Sequence, residues 1–366
     1  MNEDELLNEL KIILKILDTK NKHYFGFINN QHGGESYDQK HFGQGISRRK
    51  VKDKFEYYYV KNNKAVSKHD LDRINKLGIP PAWTDVWVSA DDKNAIQAIG
   101  TDSKGRKQYR YHEAHIAEAE KNKFLRLIEF IKNLPDFFKT IQKHQSMPIY
   151  NKYRVMSTML ILVKMLHMRV GKEHYAKTNK SYGISSLKKN HVKISGDKVQ
   201  FRFKGKSNQR LSYSFRNATL KNHLNMLMKL DGDKIFQYID DNDTVRKITD
   251  IDLNNYIQEF MGSEFTIKDF RTYAANFHFV ESLIDETKKR SPKNNKIIKK
   301  NIMHALKTTA HYMRHTKAIS KKSYVMNFAI DLYTSNPKYF VQKSGEDIDV
   351  ILLDLLKMYK KEILRM

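Results

Sequence analysis

The chain has 366 residues, no cysteine, and 67 Lys plus Arg against 41 Asp plus Glu, a formal net charge of +26. The lack of cysteine excludes disulfide frameworks, thiolate metal sites and cysteine nucleophiles together, while an apolar share of 40% excludes a disordered tail and is enough for two or three cored domains. So large a basic excess is the electrostatic footprint of a polyanion binder, its plain alternative being a soluble protein with many surface lysines.

The N-terminus, MNEDELLNELKIILKIL, opens with acids and spaces its apolar residues for an amphipathic helix over 4–18, not for a signal peptide. No apolar run approaches the 18 or more residues of a membrane span, so a soluble intracellular protein is expected. The polar, Gly-rich segment 31–50, QHGGESYDQKHFGQGISRRK, reads as loop. Residues 55–60, 84–89, 94–99 and 107–111 have the aromatic and β-branched content of strands. Between the first two, a short helix ends at Gly78, and Pro80-Pro81 forces an extended entry into the next strand. In 107–111 the alternation places Tyr109 and Tyr111 on one face, Gln108 and Arg110 on the other.

From Ile116 the periodicity becomes helical, through AEAEKNKFLRLIEFIKNL and then NKYRVMSTMLILVKMLHM, which is apolar nearly all round and therefore buried. The second of these delivers Arg169 at its end, just before Gly171. HVKIS, KVQFRF and RLSYSF read as three short strands, a Gly-Asp turn joining the first two and KGKSNQ the last two, so Lys206 sits on a hairpin tip. Thr249 with Asp252 and Thr266 with Asp269 approximate capping boxes, and the second helix carries Arg271 in its first turns, within reach of an anion at the helix start. A charged linker, KKRSPKNNK, precedes a helix over about 294–313. His315 and Tyr324 stand nine residues apart. On an unbroken helix that is a rotation of about 900°, which leaves them on opposite faces; a shared site requires a break in HTKAIS, with Tyr324 near the start of the next helix.

Arg169, Lys206, Arg271, His315 and Tyr324 form a complete kit for attacking a phosphodiester without a metal or other cofactor: a tyrosyl nucleophile, cations for the charge on the non-bridging oxygens, and a lysine to protonate the departing 5′ oxygen. Each has a bland reading. Arg169 complements a helix dipole, Lys206 is a solvated turn lysine, Arg271 pairs with Asp269, His315 lies on a basic surface and Tyr324 is half-buried packing. Singly, those readings win; jointly they do not, because the five occur in matching local contexts.

LGIPPAWTDVWVS, GTDSKGRKQYRYH, MRVGKEHYAKTN, SYGISSLKKNHVKISGDKVQFRFKGKS, FTIKDFRTYAANF and HTKAISKKSY resemble the small type IB DNA topoisomerases of poxviruses and bacteria, over roughly residues 70–335. The resemblance implies a nucleophile at Tyr324, transition-state cations at Arg169, Arg271 and His315, and a general acid at Lys206. It implies relaxation of positive and negative supercoils through a 3′-phosphotyrosyl intermediate, with neither ATP nor metal. Gln108, Tyr109 and Tyr111 fall on positions that contact DNA; Lys172, Tyr175 and Asn276 fall on DNA-contacting or site-supporting positions; Lys104 and Arg106 would hold phosphates through charge. Aromatic packing is the plain alternative for either tyrosine.

The implied fold is α+β, a C-shaped clamp that closes as a monomer on double-stranded DNA. It comprises an extension of unknown role (1–45), a β-rich DNA-binding domain (46–118) and a mainly helical catalytic domain with a small three-stranded sheet (119–366). Bacterial members often have Asn where His315 stands, which places the chain on the poxvirus-like branch and points to a large DNA virus. Ser207 departs from the poxviral pattern, which has an acid after the lysine. The rival readings are a tyrosine recombinase, which usually shows His-x-x-Arg where this chain has Lys268-x-x-Arg271, and a non-enzymatic basic DNA-binding protein.

Overall fold

Five strands of the N-terminal part pair into one antiparallel sheet: β1 (Ile46–Val51), β2 (Lys54–Tyr59), β3 (Thr84–Val88), β4 (Ile96–Thr101) and β5 (Lys107–Tyr111), in the order β2-β1-β3-β4-β5. The structure, a computed structural model, describes residues 45–365; the helix expected over 4–18 lies outside them. β1 corrects the loop reading of 31–50 over its last five residues, 46–50, while 31–44 lie outside the described residues. Its sequence, ISRRKV, fully buries only Ile46. The strand is made instead by pairing and by arginines laid on aromatic rings, with Arg48 4.2 Å from the Phe55 centroid and Arg49 4.8 Å from that of Tyr58. That pattern carries no period-2 hydrophobic signal. Arg48 also donates to the carbonyls of Pro80 (3.1 Å) and Trp83, which fixes the Pro-Pro turn.

Helix α1 (Lys68–Lys76) starts on Ser67, whose side chain accepts from the Asp70 amide, and the chain turns after it through Gly78 at φ +56°. Its Ile74 packs with Ile46, Val86, Val88 and Ala98 as the core of this sheet.

The chain divides into two compact units, the first ending at Lys121 and the second beginning at Asn122. Helix α2 (Glu113–Gln145) buries Phe124, Leu127, Ile128, Ile131, Leu134, Phe137 and Ile141, a stripe at three- and four-residue spacing. Helix α3 (Lys152–Leu166) is buried along most of its length, as its sequence predicts. It stops at His167, a left-handed C-cap, so Arg169 lies in the loop beyond the helix and not on its last turn. After α4 (Glu173–Asn179) come the three predicted strands, β6 (Val192–Ser195), β7 (Lys198–Lys204) and β8 (Arg210–Arg216), antiparallel in that order. Then follow α5 (Ala218–Leu227), a two-stranded hairpin absent from the sequence reading, β9 (Gln237–Ile239) with β10 (Val245–Lys247), and helices α6 (Asp250–Met261), α7 (Ile267–Lys289) and α8 (Asn295–Met313). A single turn α9 (Lys317–Ile319), a wide turn over Ser320–Tyr324, and α10 (Asn327–Ser335), α11 (Pro337–Gln342) and α12 (Ile348–Arg365) complete the described chain.

Both expected capping boxes form. The Thr249 amide donates to Asp252 and the Thr266 amide to Asp269, each at 2.9 Å. Helix α7 is the internal strut: Phe270 meets Phe130 of α2 edge-on at 5.0 Å, and Phe265 meets the same ring at 5.6 Å. Each such ring contributes ~2–3 kcal/mol by burial alone. The far end of α7 is tied by a buried polar network in which the Tyr333 hydroxyl pairs with Thr287 (2.7 Å) and accepts from Asn301 (2.8 Å), so α8 and α10 are held to α7 by satisfied hydrogen bonds. No described helix is long and apolar enough to cross a membrane.

Candidate active site

Arg271 is 5% exposed and does not pair with Asp269. That carboxylate accepts instead from Arg126 of α2, at 3.2 and 2.9 Å, and from the Thr266 amide. Arg271 donates through Nη1 to the carbonyl of His167 and through Nη2 to that of Met313 (3.1 Å), the cap residue that ends α3 and the last residue of α8. Helix C-termini leave carbonyls without partners and carry the negative end of the macrodipole, so a guanidinium is the natural closure for two of them. Its Nε is buried and has no hydrogen-bond partner.

Arg169 is placed by a backbone zipper: Ile184 N donates to Arg169 O (2.9 Å) and Ser185 N to Val170 O (2.8 Å). The two segments meet so closely that a Cβ on Gly171, which has φ +77°, would stand 2.5 Å from Gly183 N. Glycine is required there both for the left-handed backbone and for the approach.

Helix α8 ends in a Schellman closure, with Arg314 left-handed (φ 53°), Arg314 N donating to His311 O and His315 N to Ala310 O. The break that the spacing of His315 and Tyr324 demands lies between them, at Thr316, whose backbone is extended (φ −80°, ψ 158°) and whose side chain accepts from Ile319 N to start α9. The chain then turns through α9 and the wide turn, closed by Val325 N on Ser320 O at 2.9 Å, and brings the two rings into a stack 5.0 Å apart at 13°. Tyr324 packs on Ala274, Ala275 and Met313, with the Arg271 guanidinium 5.6 Å from its ring. Burial raises the phenol, but Arg271, Arg169 and Lys268 more than offset it and hold the hydroxyl below its ordinary range.

His315 Nδ1 lies 3.2 Å from both the Thr316 carbonyl and the Ser320 hydroxyl, and Nε2 is buried without a partner. A carbonyl only accepts, so the first contact requires the proton on Nδ1 and leaves Nε2 a bare lone pair. Burial, then the repulsion of Arg271 and Arg169, pushes the imidazole down to about 4. His167, hydrogen-bonded ring to ring with His278 at 2.9 Å, is pushed down to about 3 by burial, then by His278 and Arg271. Both folded values lie below the ordinary 6.5, so the unfolded chain takes up these protons first. The stability the two neutral rings contribute is complete above about pH 6.5 and is lost as the pH falls toward 4 and below. Thermal melting between pH 7 and 4.5 should show the midpoint dropping by several °C on acidification. The slope should flatten in His315→Asn and in His167→Asn, the latter because asparagine accepts the left-handed backbone. An unchanged slope in both variants would refute the account.

Lys206 is not brought to the other four. It stands exposed on the β7–β8 tip, where Ser207 and Asn208 are both left-handed (φ 60° and 66°). Asn276, expected to meet DNA or support the site, is 1% exposed: its amide donates to Thr272 O (2.8 Å) and Tyr324 O (3.0 Å) and accepts from Met326 N (2.9 Å). It pins the backbone on either side of the tyrosine.

In the first unit, Tyr109 and Tyr111 do share a face, stacked at 5.9 Å, while Gln108 (3.0 Å) and Arg106 (2.8 Å through Nε) donate to the Asp102 carboxylate, and Lys104 is exposed. Arg106, against the pull of burial, holds that carboxylate well below its ordinary range. Lys172 occupies the N-cap position of α4, and Tyr175 on that helix is exposed. Sequence reasoning missed Arg126, Ser320 and the two helix-end carbonyls; backbone carbonyls and long-range partners leave no local signal.

Residues 104–343 match the catalytic core of eukaryotic DNA topoisomerase I, and 54–102 match the N-terminal domain of bacterial DNA topoisomerase IB. DNA topoisomerase 1B of Acanthamoeba polyphaga mimivirus is 56% identical over 333 residues, covering 90% of this chain and 99% of the relative. DNA topoisomerase I of monkeypox virus is 29% identical, covering 71% of this chain and 80% of its own, and DNA topoisomerase 1B of vaccinia virus (strain Copenhagen) is 28% identical over the same shares. Among solved structures, the XerH site-specific recombinase bound to difH overlaps 52% of each chain at 14% identity, with a TM-score of 0.28 too low to weigh for any reading.

These matches make the protein an isomerase whose substrate is DNA. The chain belongs to the type IB DNA topoisomerases, in the branch shared by mimivirus and the poxviruses, and the α+β reading of its fold stands with that assignment. The recombinase and plain DNA-binder readings give way to it.

Proposed function

We propose that the enzyme relaxes DNA through a covalent intermediate at Tyr324. The phenolic oxygen bonds to the scissile phosphorus, the bond to the 5′ oxygen breaks, the phenol gives up its proton and Lys206 supplies one to the leaving oxygen. The strand is then held as a 3′-phosphotyrosyl ester, the free 5′ hydroxyl swivels, and its return expels the tyrosine. The observation that carries this reading is the pair of buried, unpartnered nitrogens, Arg271 Nε and His315 Nε2, on residues that flank the Tyr324 ring. Orphaned buried polar atoms are costly, and two on neighbouring residues suit the oxygens of an anion. A phosphate oxygen arriving at His315 Nε2 would favour its protonation, so that the ring donates from both sides. Arg169 completes the charge.

Since the steps are proton transfers and charge stabilisation with conserved bond energy, supercoiled plasmid of either sign should relax in EDTA without ATP, as a monomer on one duplex. Denaturing the reaction in mid-course should trap protein on a 3′ end with a free 5′ hydroxyl. A 5′ attachment, or a requirement for a divalent ion or ATP, would defeat the scheme.

Lys206 reaches the site when its hairpin lies on DNA. Its replacement by alanine should slow cleavage about 10²–10⁴-fold, and a bridging 5′-phosphorothiolate, whose sulfur leaves unprotonated, should restore it. Cleavage of both substrates at the wild-type rate would remove the lysine from the mechanism. Tyr109, Tyr111, Lys104, Lys172 and Tyr175 are assigned to the duplex, with Gln108 and Arg106 delivered by Asp102.

A further inference from the structure

Arg314 is an arginine where the backbone ordinarily wants glycine. It is the left-handed residue of the Schellman closure of α8, at φ 53° and ψ 55°, directly before His315. Its half-buried side chain has no carboxylate or carbonyl partner among the described residues; the guanidinium lies 5.6 Å from the centre of the Tyr213 ring on β8. Tyr213 is 5% exposed and is itself fixed by stacking on Phe203 at 5.9 Å and 20°. An arginine held on an aromatic face is positioned while its donors stay available.

The cations sort by which phenol they influence. Arg271, Arg169 and Lys268 act on Tyr324, whereas Arg271, Arg169 and Arg314 act on Tyr213, whose hydroxyl burial nevertheless raises. Arg271 and Arg169 are thus common to both tyrosines, while the geometry sets Arg271 5.6 Å from the Tyr324 ring and Arg314 5.6 Å from that of Tyr213.

We propose that Arg314 binds the phosphate adjacent to the scissile one on the cleaved strand, with Tyr213 as its positioning residue. The proposal rests on Tyr324 being the nucleophile. It adds a DNA contact that holds the strand in register as the scissile phosphate enters between His315, Arg271 and Arg169.

The test measures single-turnover formation of the covalent adduct on a duplex carrying a cleavage site mapped with the wild-type enzyme. One all-phosphate duplex is compared with three that carry one neutral methylphosphonate each: at the scissile position, one nucleotide 5′ and one nucleotide 3′. Arg314→Gly should melt at or above the wild-type temperature, because glycine suits the left-handed backbone, yet form adduct roughly tenfold to a hundredfold more slowly on the all-phosphate duplex, the range of one charge-assisted contact. On one of the two flanking methylphosphonate duplexes the wild type should slow to a similar degree and R314G no further, and R314K and Tyr213→Leu should show the same non-additivity in weaker form.

Equal slowing by R314G on all duplexes, coupling at the scissile position alone, or a wild-type rate in R314G would overturn the assignment. If R314G proves unstable, the coupling in R314K decides by the same criteria. Wild-type adduct on unmodified DNA tests the Tyr324 reading separately, so failure of one leaves the other standing.

Discussion

Phenylalanine at position 324 is expected to abolish adduct formation and relaxation of plasmid of either supercoil sign, on the order of 10⁵-fold or more, as for other enzymes that lose their nucleophile. Folding and DNA affinity should be almost unchanged. The separation follows from how the ring is held: the stack on His315 and the packing on Ala274, Ala275 and Met313 use its faces and edge. The backbone is pinned through Asn276 and not through the phenol. Only the hydroxyl, lowered by Arg271, Arg169 and Lys268 against the pull of burial, is lost. Its removal should therefore shift the melting point by little, while a denaturing gel of enzyme and end-labelled duplex shows no shifted band. A band of wild-type intensity from Tyr324→Phe would place the nucleophile elsewhere, and Tyr213 would be the first candidate.

What could be read in the chain beforehand divides along physical lines. Elements stabilised by their own periodicity or local hydrogen bonds were legible: the buried α3, the stripe of α2, the three strands bracketing Gly196 and the Lys206 tip, and the Thr249 and Thr266 caps. The necessity of a break between His315 and Tyr324 followed from helix geometry alone, and the extended backbone of Thr316 supplies it. Elements stabilised by distant partners were not legible. β1 is a strand because β2 and β3 flank it and Arg48 reaches Pro80, none of which ISRRKV announces. Arg271 could be nominated from its context, but its tasks could not, since both acceptors are backbone carbonyls 104 and 42 residues away in the chain. The local pairing with Asp269 that spacing suggests is pre-empted by Arg126, which approaches from α2.

That double duty makes Arg271 the site of the second large effect. Alanine there removes a transition-state donor, which for comparable oxyanion donors is worth ~3–4 kcal/mol, or 10²–10³ in rate. It also strands the carbonyls of His167 and Met313 in a buried place, at a further cost of ~1–3 kcal/mol per group in stability. Arg271→Ala should thus lose both the single-turnover cleavage rate and several °C of melting temperature. Lysine separates the two losses. Its ammonium can neutralise the negative ends of α3 and α8 and recover part of the melting temperature, but a point charge cannot face two helix-end carbonyls and still present a donor where Nε now stands unpartnered. Cleavage by Arg271→Lys should stay at least about tenfold below wild type even where its fold is as stable. If lysine restored the rate in step with the melting temperature, Arg271 would be a structural clasp for two helix ends, and the charge at the scissile phosphate would fall to Arg169 and His315 alone.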